Sequence, residues 1–151
     1  MKIHGQELWA DVVVPPAAMR DAGRVQAALR AGAAALGSSV LSEHLQRFEP
    51  SGLTAIAVIG ESHLLASTYE ELGLLAVNIQ TCTEKMELVA GLAAVCAALG
   101  GEEVRELIVM HRLDSPFRVT LRAERVAVRD GRLALDEEAP PYGFSTSSAI
   151  R

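Results

Sequence analysis

The sequence predicts an α+β fold: a two-layer α/β sandwich with a mainly antiparallel sheet, two helices packed on one face, and loosely repeated halves. Three observations carry that expectation. Apolar residues alternate with period two in several short segments, the pattern of a half-buried strand. In two longer segments they recur at helical spacing instead. Tight turn signals, Ser51-Gly52 and Asp130-Gly131, join strand-like segments over distances too short for a parallel crossover.

The first strand is HGQELWADVVV, with Leu8, Ala10, Val12 and Val14 on one face. Pro15 and Pro16 end it, and Pro16 suits the first position of a helix. From Ala17 to Leu36, Val25, Ala28, Leu29, Ala33 and Leu36 form one helical stripe, closed by Gly37. Gly32, inside that stretch, is a poor helix former and weakens the pattern. SSVLSEHLQRFEP is a second strand, LTAIAVIG a third, LLASTY a fourth and LLAVNIQTC a fifth. Thr83 is a candidate cap for a second helix carrying Leu88, Leu92, Val95, Cys96 and Leu99, ended by Gly100-Gly101. VRELIVMH, FRVTLRAERVAV and RLALDEE complete the sheet, the last two as a hairpin through Asp130-Gly131. Residues 1–139 are expected to be one domain. The Pro-, Gly- and Ser-rich segment 140–151 is expected to be a flexible tail or to be ordered by a partner.

A chain of 151 residues, 50% hydrophobic and 22% charged, can bury a substantial core and is not of disordered composition. Its net charge of -5 argues against a nucleic-acid backbone as partner and tolerates a cationic substrate. No apolar run approaches the roughly 18 residues of a membrane span, and the charged opening is unlike a signal peptide, so a cytoplasmic protein is expected. Cys82 and Cys96 are too few for a disulfide framework and lack metal-ligand spacing. His4, His44 and His111 fall on separate strands, and no metal site is expected.

The segment GESHLLASTYEE places a carboxylate, a hydroxyl and an imidazole on consecutive residues, Glu61, Ser62 and His63, between two apolar strands. Together with its surroundings it resembles the prokaryotic S-adenosylmethionine decarboxylase family. Gly52, Thr54, Glu61, Ser62, His63, Thr68, Glu71, Gly73, Ala76, Thr81 and Cys82 are in register with that family's pattern. RFEP upstream and the opening MKxxGxxLxAD match as well, so the resemblance covers roughly Met1 to Cys82. The triplet alone would arise by chance; joined to Thr81-Cys82 at the right distance it is specific.

The resemblance implies a proenzyme that cuts itself between Glu61 and Ser62. Ser62 Oγ would attack the Glu61 carbonyl, and β-elimination would convert the serine into a covalent pyruvoyl group. A serine is needed because its oxygen is first nucleophile and then, once acylated, leaving group. The pyruvoyl carbonyl would take the amine of an amino-acid-type substrate as a Schiff base and accept the electrons released with CO2. Cys82 would return a proton to the substrate, a task suited to a thiol, which is largely protonated at neutral pH; a buried apolar role is its alternative. His63 would polarise the scissile carbonyl or position substrate, or simply face solvent. Thr54 matches a hydroxyl that supports processing, though a β-branched strand residue needs no such role. Phe48 would stack on a substrate ring or fill the core. A homodimer is implied.

Departures from the pattern cluster near the chemistry. Ser67 replaces the family histidine assigned to removal of the Cα proton, and a hydroxyl is a poor base. Processing could then be slow, use His63 or a water, or fail. Tyr69, Glu70, Asn78, Gln80 and Thr83 replace tryptophan, proline, aspartate, phenylalanine and glycine. Asn78, Gln80 and Cys82 share one strand face, which suggests a rebuilt pocket wall in which Tyr69, Glu70, Asn78 and Gln80 contact substrate. S-adenosylmethionine is the family substrate. Ornithine or arginine on the same fold, and an uncleaved paralogue that regulates an active partner, are the alternatives.

Overall fold

Strand β1 (Ile3–Val13) begins the structure, a computed structural model that describes residues 3–113, 118–135 and 145–149. Its Leu8, Ala10 and Val12 are buried on one face and Trp9 is half exposed on the other, as period-two alternation requires. Pro16 then opens a five-residue helix, α1 (Pro16–Arg20). The single helix expected from Ala17 to Leu36 is broken here. Asp21 takes an extended conformation, and its side chain accepts the Arg24 N–H at 3.1 Å, capping a second helix, α2 (Ala22–Ala35). A good N-cap residue inside an apolar-periodic run offers the backbone a fresh start that periodicity alone does not reveal.

Strands β2 (Val40–Arg47), β3 (Leu53–Ile59), β4 (Ser62–Tyr69) and β5 (Leu74–Thr81) follow as an antiparallel ladder. Helix α3 (Leu88–Leu99) buries Leu88, Leu92, Val95, Cys96 and Leu99, the stripe read from the sequence. Thr83 does not cap it. That helix starts at Leu88 after Glu87, and the Thr83 hydroxyl instead accepts the Lys85 N–H in the preceding loop. Strands β6 (Glu103–Leu113), β7 (Arg118–Arg129) and β8 (Arg132–Leu135) complete the second half, with the expected turn at Asp130-Gly131, both at positive φ. The continuation of β8 expected beyond Leu135 lies outside the described residues. Ser145–Ala149 forms a ninth strand, β9, within the segment read as a tail. It pairs with Arg118–Arg122 of β7, the part of that edge β8 leaves open.

Every strand pairing is antiparallel, and the order is β2-β3-β4-β5-β1-β6-β7-β8 with β9 also on β7. Each half of the chain thus flanks the central β1–β5 pair with its own strands and a long helix. The first half runs from edge to centre, the second from centre to edge. The core lies between the sheet and the helices. Gly32 belongs there despite its poor helix propensity: a Cβ on it would sit 2.7 Å from Leu64 Cδ2 and 2.9 Å from Val95 Cγ2, so its absence lets α2 close on both neighbours. Among the described residues, the other face of the sheet carries no helix. It presents Trp9 and Tyr69, half exposed, among partly buried Ile56, Val58, Leu65 and Ile108.

Candidate active site

The β3–β4 hairpin turns on Gly60 and Glu61, with Ile59 paired to Ser62. Ser62 is therefore the first residue of β4 rather than part of the turn. Its φ is 141°, a region essentially reserved for glycine, so this peptide stores backbone strain. On its other side Ser62 pairs with Thr81 of β5. That register sets Cys82, one residue past the strand, against the turn, and the Cys82 N–H donates to the Glu61 carbonyl oxygen at 2.8 Å. A donor aimed at a carbonyl oxygen stabilises the negative charge that develops there when a nucleophile adds. The Glu61 carboxylate is engaged separately, by the Ser38 hydroxyl.

Ser62 Oγ lies 3.4 Å from His63 Nδ1. On the far side of the ring, His63 Nε2 meets Asn78 Oδ1 at 2.9 Å. Asn78 is buried, and its amide nitrogen donates to Glu7 Oε1 at 3.2 Å and to the Leu8 carbonyl at 3.1 Å, both on β1. Arg112 Nη2 approaches the other Glu7 oxygen at 3.8 Å. Ser62 and Cys82 open onto one cavity of about 130 Å³, bordered also by Gly5, Glu7, Gln80 and Arg112. Cys82 is exposed, whereas Cys96 is buried and its thiol is pushed up to about 12 by desolvation, which keeps it an inert core residue.

The remaining expected site residues lie elsewhere. Thr54 Oγ1 and Ser67 Oγ share a hydrogen bond of 2.8 Å across β3 and β4. With Phe48 and Tyr69 they line a second cavity, of about 510 Å³. Ser67 lies five residues along the strand from Ser62, about 17 Å at ~3.4 Å per residue. Glu70 is held by Arg20 Nε at 2.8 Å. Within one chain the expected site residues thus fall into two clusters at opposite ends of β4, because residues close in sequence on an extended strand are far apart in space. Of the expected pocket wall, Gln80 faces the cavity with Cys82. Asn78 is instead taken up behind His63. Glu7, Gly5 and Arg112 were not found from the sequence; only the β1–β5 and β1–β6 pairings bring them here, and no local pattern announces those. Among the described residues no group of three metal-ligating side chains could hold a metal ion.

A family model described as S-adenosylmethionine decarboxylase matches residues 7–112. A relative from Symbiobacterium thermophilum, named S-adenosylmethionine decarboxylase proenzyme, is 38% identical over 72 residues, 48% of this chain and 54% of that protein. One from Thermodesulfovibrio yellowstonii with the same name is 31% identical over 102 residues, 64% of this chain and 76% of that protein. The chain spans about half the length of the first such relatives it matches. The crystal structure of the adenosylmethionine decarboxylase from Aquifex aeolicus superposes with a TM-score of 0.67 at 20% identity, over 77% of this chain and 96% of that one, a likeness of fold.

Proposed function

The chain belongs to the S-adenosylmethionine decarboxylase family, and on that premise we propose that it is a self-processing, pyruvoyl-dependent amino-acid decarboxylase that cuts itself between Glu61 and Ser62. The observation that carries this reading is the Glu61–Ser62 peptide itself. It is strained at Ser62, and its carbonyl oxygen is held by the Cys82 N–H at 2.8 Å. In the first step Ser62 Oγ adds to the Glu61 carbonyl carbon and the peptide nitrogen leaves, giving an ester. A base then takes the Ser62 Cα proton, the main-chain carboxylate of Glu61 departs from Cβ to leave dehydroalanine, and water displaces ammonia from its imine form to leave a pyruvoyl group. Ser67 is too distant in its own chain to be that base, whereas His63 adjoins Ser62.

The residues present fit such a group: the cavity at Ser62 is open to a substrate, and Cys82 lines it. The pyruvoyl carbonyl would supply an electron sink for loss of CO2. Cys82 returns a proton to the substrate carbon, and Glu7 and Gln80 shape the wall that receives the substrate. S-adenosylmethionine is the proposed substrate, its sulfonium suited to a cavity bordered by the Glu7 carboxylate. Glu70, which would favour ornithine or arginine, is paired with Arg20 at the far cluster.

The proposed assembly is a homodimer formed through the helix-free face of the sheet. Support comes from its apolar residues and from the small cavity at Ser62, below the roughly 300–1,000 Å³ of small-molecule sites, which leaves room for a second wall. A second copy would also be the one route by which Thr54 and Ser67 could approach a Ser62. No helix among the described residues is long and apolar enough to cross a membrane, and a cytoplasmic location is proposed. A denaturing gel of purified protein tests the reading: two fragments support it, and one chain that stays whole favours the uncleaved regulator. Carbon dioxide release compared for S-adenosylmethionine, ornithine and arginine tests the substrate.

A further inference from the structure

The amide of Asn78 can sit only one way round. Its nitrogen faces the Glu7 carboxylate at 3.2 Å and the Leu8 carbonyl at 3.1 Å. Neither partner has a hydrogen to give, so a flipped amide would set oxygen against two acceptors. With the nitrogen turned toward β1, Oδ1 faces His63 Nε2 at 2.9 Å, and Nε2 must carry the ring hydrogen. A neutral imidazole has one such hydrogen, which leaves Nδ1 bare. Nδ1 is the atom 3.4 Å from Ser62 Oγ, a loose contact of the kind that tightens on the way to a transition state.

We propose that Asn78, oriented by Glu7, is a positioning residue that fixes His63 in its Nε2–H tautomer and so makes Nδ1 the base that activates Ser62 for self-cleavage. The inference rests on the reading of Ser62 as the internal nucleophile. Oγ forms its bond to the Glu61 carbonyl carbon while its proton passes to Nδ1. The carbon–nitrogen bond of the peptide then breaks, and the Ser62 nitrogen leaves with that proton. An amine and an ester result, the imidazole is neutral again, and no co-reactant is consumed.

Two readouts test this. Ser62→Ala holds the chain intact, and nitrogen-15 NMR of its His63 ring should show the Nε2–H form, shifting to a mixture of tautomers when Asn78→Leu is added. In otherwise unaltered protein, Asn78→Leu and His63→Ala should each slow cleavage by about 100-fold or more, the usual share of a general base. The double variant should be no slower than the slower single one, because both remove the same device. Should Asn78→Leu fail to fold, Glu7→Gln serves instead: its amide can donate to a flipped Asn78, so the tautomers should again mix. An Nδ1–H ring in the Asn78 protein, parental cleavage by Asn78→Leu, or multiplicative effects in the double variant would overturn the proposal. A parent that never cleaves would refute the internal-nucleophile reading, and the ring spectrum would still decide the tautomer.

Discussion

Replacing Ser62 by alanine and by glycine gives two chains that cannot cut themselves and that differ only in a Cβ. At an ordinary strand position the glycine variant is the weaker, by about 0.5–1 kcal/mol, because its unfolded chain has more freedom to lose. At Ser62 the backbone sits at φ 141°. A side chain bearing Cβ stores roughly 1–3 kcal/mol in such a conformation, and glycine stores almost none. Subtracting the entropic disadvantage leaves Ser62→Gly more stable than Ser62→Ala by about 1 kcal/mol. For a chain of this length that is a rise of about 2–4 °C in Tm. Urea and thermal unfolding followed by circular dichroism on both variants would measure it. An alanine variant more stable than the glycine one by the ordinary half to one kcal/mol would show that no strain resides at the scissile peptide.

Cys82→Ala keeps the backbone N–H that holds the Glu61 carbonyl, so a gel should still show two fragments while CO2 release falls by about 100-fold or more. The His111 imidazole is lowered below its usual range first by burial and then by Arg118, with Glu84 opposing, and its buried Nδ1 has no hydrogen-bond partner among the described residues. A base depressed in the folded state contributes its full stability above its unfolded value, about 6.5, and that contribution is lost as pH falls below it. Tm should therefore drop between pH 7 and pH 5, and His111→Phe should flatten the drop. Gly32→Ala forces a Cβ within 3 Å of Leu64 and Val95 and should destabilise the fold by about 1–3 kcal/mol in urea unfolding.

The layers, the helix-bearing face and nearly every strand were legible in the sequence because they are written in local periodicity, as Leu8, Ala10 and Val12 on β1 illustrate. What escaped was local competition and long-range pairing. Asp21 splits one apolar-periodic run into two helices by capping the second. The β9 strand depends on an edge of β7 that only the assembled sheet reveals. In the site, Ser62, His63 and Cys82 were found from the motif, and the β4–β5 register is what brings them together. Thr54, Phe48, Ser67, Tyr69 and Glu70 were placed in the site by the family pattern, and within this chain they lie toward the end of β4 far from Ser62. Glu7 and Arg112 needed the central β1–β5 and β1–β6 pairings, a contact of high sequence separation that no short pattern encodes.

The most direct test of the proposed chemistry is the intact mass of freshly folded protein, read with and without hydrazine. Self-cleavage requires two chains parted at Glu61–Ser62, the second blocked at its new N-terminus and gaining the mass of one hydrazone. A folded chain that stays whole and traps no hydrazine would contradict it.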